Sequence, residues 1–124
     1  MSFVYLPFSI GGGGGGGNAS CDTEIVYVSG FMELTEGGGC STYVSLGQHT
    51  VVLPESEDGD IFNFSVGETG LFRIEPSGLD EIRLSTLTSS AIGIEGSGVG
   101  SSIQLRKYNG TWTSHSVVGY WFLA

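Results

Sequence analysis

Positive charge is scarce in this chain. Its four cations, Arg73, Arg83, Arg106 and Lys107, all lie after residue 72, against 13 Asp and Glu and a formal net charge of -9. Nine of the acids fall between Asp22 and Glu68, so the first part carries almost the whole imbalance. Phosphate backbones and anionic lipid surfaces repel such a chain, which argues against nucleic-acid and membrane partners. No run is long and apolar enough to span a bilayer as a helix. The N-terminus lacks the charged start and cleavage site of a signal peptide, so secretion is not expected. Proline is limited to 3 residues and Gly, although 22 in number, follows no strict period, which excludes collagen. Cys21 and Cys40 are the two cysteines. A disulfide and a pair of reduced thiols both stay open for them. Neither they nor His49 and His115 have the spacing of a metal site, so no metal and no cofactor is expected.

Helical periodicity is missing almost throughout. In its place stand short alternating runs bounded by Gly, Ser, Asn or Asp, the pattern of strands and tight turns. FVYLPF, EIVYVSGFMEL, STYVSL and HTVVL occupy the first half. Then come Phe62, Phe64 and Val66, followed by the pairs Phe72/Ile74, Ile82/Leu84, Ile92/Ile94 and Ile103/Leu105. Alternate residues of a strand share a face, so each set predicts one buried side. The intervening segments Gly67–Gly70, Pro76–Gly78, Gly96–Gly98 and Asn109-Gly110 supply turn residues. Asn109-Gly110 predicts a two-residue type I′ hairpin with Tyr108 and Trp112 on its flanking strands. The expected fold is all-β: a short-stranded antiparallel sandwich or barrel, or a trimeric β-prism-like domain. Residues 1–20 form an extended N-terminal arm with a glycine tract, and 21–124 a single β domain.

Signals for chemistry are thin. The run Gly11–Gly17 lacks the Lys-Ser/Thr ending of a phosphate-binding loop and no strand-then-helix context follows it. Neither histidine sits in a nucleophile motif, and no catalytic residue is assigned. Glu55-Ser56-Glu57-Asp58-Gly59-Asp60 concentrates four carboxylates, a composition calcium could use, but the spacing does not match the twelve-residue calcium loop and a solvated turn is the favoured reading. Asn18, Asn63 and Asn109 open sequons that a Ser/Thr-rich chain produces by chance. Aromatic residues crowd the end: Tyr108, Trp112, Tyr120 and Trp121 are candidates for a subunit interface or a glycan-stacking platform. Phe3, Val4, Tyr5, Leu6, Phe8 and Ile10, with Gly11, Gly13, Gly15 and Gly17, form an apolar, β-prone arm suited to adding a strand to a neighbouring subunit.

From about residue 49 to 124 the chain resembles a β domain of bacteriophage virion proteins, found in capsid decoration (cement), head-fibre and tail-fibre proteins. The matching residues are Val52-Leu53-Pro54, Gly59-Asp60, Ile74-Glu75-Pro76-Ser77-Gly78, Asp80, Ile82, Ile103–Leu105 and Asn109-Gly110-Thr111-Trp112. The resemblance implies a structural, non-enzymatic protein on the virion surface, made in the host cytoplasm and commonly a homotrimer. Its partners would be copies of itself and the major capsid protein or another virion protein. A short chain beginning at Met1, without a fibre shaft or coiled-coil heptads, favours decoration of the head. A tail-fibre or head-fibre part that binds a host glycan is the alternative.

Overall fold

A computed structural model describes residues 24–35, 41–55, 57–84, 87–89 and 93–124. The arm, the glycine tract, Cys21, Cys40 and Ile92 lie outside them. Every regular element among the described residues is a β-strand, as the alternation predicts. The ten strands are β1 (Glu24–Val28), β2 (Phe31–Glu33), β3 (Ser41–Ser45), β4 (His49–Val52), β5 (Ile61–Val66), β6 (Phe72–Glu75), β7 (Glu81–Leu84), β8 (Leu87–Ser89), β9 (Ile94–Tyr108) and β10 (Thr111–Leu123).

The pairing departs from the antiparallel arrangement expected of the sandwich or barrel. Odd strands stack on odd strands, with β1 parallel to β3 and β3 parallel to β5. Even strands do the same, with β2 parallel to β4 and β4 parallel to β6. Each consecutive pair, β1/β2, β3/β4 and β5/β6, is therefore one coil of a three-coil stack. Alternation of side chains is the same in parallel and antiparallel strands, so the sequence pattern does not separate the two. The steps also differ: Ile25 opposes Thr42 and Thr42 opposes Asn63, steps of 17 and 21 residues. EIVYVSGFMEL, which reads as one strand, breaks at Gly30, whose φ of 90° turns the chain from β1 into β2.

The hairpin β9–β10 closes one end of this stack. Its tip is the two-residue Asn109-Gly110 turn, with φ of 49° and 77°, the type I′ geometry that the dipeptide predicts. β9 runs antiparallel to β5 with its second half (Ile61 opposite Arg106, Ser65 opposite Ser102). With its first part it runs antiparallel to β6 (Phe72 opposite Gly96, Ile74 opposite Ile94). One strand thus pairs with both strands of the third coil, and the sheet curls into a nearly closed, barrel-shaped wall. β10 pairs on its other edge with β7, parallel, over Thr111–Thr113, and β7 continues into β8.

A bulge lets β9 serve both coil strands. Ser102 opposes Val118 and Ser97 opposes Tyr120, so Gly98–Ser101 bow out against the single residue Gly119. Ser101 pins the bow: its buried hydroxyl donates to the Ser97 carbonyl (2.6 Å) and accepts from the Tyr120 N–H (3.0 Å). Gly96–Gly98, expected as a turn between strands, therefore lies inside β9. Gly96 is there because the Trp121 ring lies flat over it, where a Cβ would sit 2.5 Å from the ring.

The core is one cluster, built from the inward residues of both stacks and the hairpin. Phe62, Phe64 and Val66 from β5 meet Phe72 and Ile74 from β6, Val51 from β4, and Ile94, Ile103, Leu105 and Trp112 from the hairpin. The apolar residues that alternate in the sequence are the ones withdrawn from solvent. Rings interlock across it: Phe64 meets Phe72 edge-on (5.8 Å), Phe62 meets Trp112 edge-on (5.5 Å), and Tyr43 tilts against Phe62 and Phe64.

Candidate functional site

Trp112, the strongest aromatic signal at the chain's end, is a core residue with 0% exposure. The I′ turn fixes which side of the hairpin it occupies, opposite Lys107 and facing inward. Lys107 is itself buried (8% side-chain exposure); its Nζ lies 2.8 Å from Asp80 Oδ2 and 5.6 Å from the centre of the Trp112 ring. Burial removes Trp112 from any glycan-stacking surface, correcting that part of the expected platform. The remaining three residues do not share a site. Tyr108 stands at the hairpin tip, its ring 6.1 Å from that of His115. Tyr120 and Trp121 belong to the opposite end of the hairpin, past the bulge. Trp121 is partly buried and packs against the core, whereas Tyr120 is 72% exposed.

Two outer walls carry the exposed apolar residues instead. Cross-strand neighbours point to the same face, so the register defines each wall. On the first, Phe31 and Glu33 stand beside Thr50 and Val52, then Arg73 and Glu75, then Glu95 and Ser97, and finally Phe122 and Tyr120. Its centre is ionic. Arg73 donates to Glu75 (2.7 Å) and to Glu95 (3.1 Å). The hydrogen bond to Glu75 lifts the Arg73 pKa above its ordinary value; burial opposes this and the Glu95 contact adds to it. The rims are apolar, with Phe31 65% exposed at one margin and Tyr120 and Phe122 at the other.

The second wall runs from Ile25 and Tyr27 through Thr42 and Val44, Asn63 and Ser65, and Gln104 and Ser102 to Val118. Its centre is polar: Gln104 Nε2 donates to Asn63 Oδ1 at 2.9 Å. Here too the margins are apolar and exposed, with Tyr27 and Ile25 on β1 and Val118 on β10. Beyond Thr113 the far edge of β10 pairs with no strand among the described residues, and it carries Val117, Val118 and Tyr120. Sequence reasoning singled out Tyr120 but missed Ile25, Tyr27 and Phe31. Alternation in EIVYV marks both faces as apolar, and that double-sided pattern was the available signal.

The remaining candidates are tied into the fold. His49 accepts the Gly30 N–H at Nδ1 (2.7 Å), and its Nε2 lies 2.6 Å from the Leu46 carbonyl, so the ring ties the β1–β2 turn to the β3–β4 turn. In the acidic segment, Asp58 Oδ1 accepts the Asn109 N–H (2.9 Å), and Gly59 N and Asp60 O bond the backbone of Lys107. The carboxylate turn is thereby a brace for the hairpin tip. Among the described residues no three His, Cys, Asp or Glu side chains are grouped to hold a metal. The arm residues 3–10 and the glycines Gly11, Gly13, Gly15 and Gly17 lie outside the described residues. No helix among the described residues is long and apolar enough to cross a membrane. No protein-family model and no curated protein matches the chain.

Proposed function

We propose that this chain is a non-enzymatic virion structural protein, a capsid decoration (cement) protein that binds the outer surface of the head and stabilises it. The observation that carries the reading is the pair of walls with apolar margins. Ile25, Tyr27, Phe31, Val118, Tyr120 and Phe122 are exposed on a rigid, acidic β body. Large apolar side chains left exposed together on a folded body mark candidate protein contact surfaces. Aromatic residues are enriched in such interfaces. The resemblance of residues 49–124 to virion β domains supports the same reading and adds a homotrimer.

Particles built from many copies need small, repeated contacts, which a compact β domain with two apolar-edged outer walls could supply in every copy. Cryo-EM of phage particles purified from host cells that express the protein tests the proposal. Density for the three-coil body on the outside of the head is the expected result. Density at a tail or fibre tip moves the chain to the glycan-binding alternative, and absence from the particle overturns both.

A further inference from the structure

Two of the four cations have no carboxylate partner among the described residues, in a chain with 13 Asp and Glu. Arg73 holds Glu75 and Glu95, and Lys107 holds Asp80. Arg83, on β7, is exposed and makes no hydrogen bond or ion pair among the described residues. Arg106, on β9, donates from Nη1 to the Tyr108 hydroxyl (3.3 Å), while its Nε is withdrawn from solvent without a partner.

Register brings these two arginines together. Both oppose Thr113 of β10, Arg106 from one side and Arg83 from the other. Residues in register share a face, so the two side chains rise on either side of Thr113 on the outer wall. Their Cα atoms are two strand spacings, about 10 Å, apart. Beyond Arg106 the row continues to Ile61, and Glu81, two residues before Arg83 on the same face, pairs with neither arginine. Exposed rings border the pair: Tyr108 and His115, the bulged residue of β10, lie 6.1 Å apart. Like charges side by side repel, and an anion placed between them removes the repulsion.

We propose that Arg83, Arg106 and Thr113 form a binding site for one small oxyanion, a carboxylate or a phosphate or sulfate group. The planar guanidinium group presents paired N–H donors that match two oxygens of such an anion. The Thr113 hydroxyl adds a donor between the two. The rings of Tyr108 and His115 offer a surface to the remainder of an organic ligand. The rest of the molecule limits ligand size. A net charge of -9 repels a polyanion along its length, whereas a small anion meets a field that salt screens within about 10 Å. The site uses none of the apolar margins, and its ligand does not depend on a place in a virion.

NMR titration of the isotope-labelled full-length chain tests the site. Sodium phosphate, sodium sulfate and sodium glucuronate are added separately, with ionic strength held constant by chloride. The Nε–H signals of Arg83 and Arg106 and the Thr113 amide are expected to shift together and to saturate with at least one of the three. Arg83→Gln, an exposed substitution, weakens that binding about ten-fold or more, and unchanged core signals show that the variant is folded. Arg106→Gln is read in the same way. Tighter saturation by glucuronate assigns the site to an organic acid, and tighter saturation by phosphate or sulfate assigns it to those groups; either supports the proposal. Shifts that never saturate, or that persist unchanged in both variants, overturn it, as does the lack of any response to all three salts.

Discussion

At the foot of the Asn109-Gly110 turn, Trp112 fills the core, meets Phe62 edge-on and lies under the Lys107 ammonium. Trp112→Ala empties that volume and is expected to cost about 3–5 kcal/mol, measured as a lowered denaturation midpoint. The loss is one of stability, not of ligand binding. Tyr43 gives a pH signature. Burial, and secondarily the Glu24 carboxylate, raise its pKa above the ordinary 10.0, so the folded chain holds the phenolic proton more tightly than the unfolded one. This contribution is whole below pH 10 and is lost as pH rises through the raised folded value. Tyr43→Phe therefore flattens the alkaline fall in stability, followed through denaturation midpoints at rising pH; an unchanged slope would assign the fall to other groups. Both roles were hidden in the sequence, where a tryptophan at a hairpin serves a surface or a core equally well. Burial depends on partners such as Phe62 that lie some fifty residues away.

At the scale of elements, the strands were legible and their partners were not. Phe62, Phe64 and Val66 announce a buried face by alternation, and Asn-Gly announces its turn because both positions require positive φ. Nothing local tells β3 to lie parallel to β1 and β5, because that choice is made by connections of unequal length. The bulge was equally silent: Gly96-Ser97-Gly98 reads as a turn, whereas the structure keeps it within β9 and pins the bow that follows with Ser101. Ser101→Ala leaves the part-buried Ser97 carbonyl and Tyr120 N–H without this partner and is expected to cost about 1 kcal/mol. Gly119→Ala goes further. At φ 84° its Cβ runs into Ser101, and thermal melting is expected to drop by more than for Ser101→Ala. If the two variants melt alike, the bow does not depend on that close approach.

For the whole molecule, the candidate contact surface emerged only from register. Phe31, Tyr120 and Phe122 are far apart in sequence, and pairing through β4, β6 and β9 sets them along one wall. Replacing Tyr120 and Phe122 together by Asp places two charges on that margin without touching the core. If the proposed homotrimer forms through this margin, the variant sediments as a smaller species than the unaltered chain in analytical ultracentrifugation, with the melting temperature shifted by only a few degrees. Unchanged sedimentation would remove this margin from the proposed subunit contact.

The pairing of β9 with both β5 and β6 has a consequence for synthesis. Asn63 meets Gln104 across 41 residues of chain, and Phe72 meets Gly96 across 24. While the polypeptide emerges from the ribosome, the coils precede their closing hairpin, and the free edges of β5 and β6 wait for residues that are still being translated. Release of the last strand, rather than collapse of the first, then sets the moment at which the newborn molecule stops offering those edges to its neighbours.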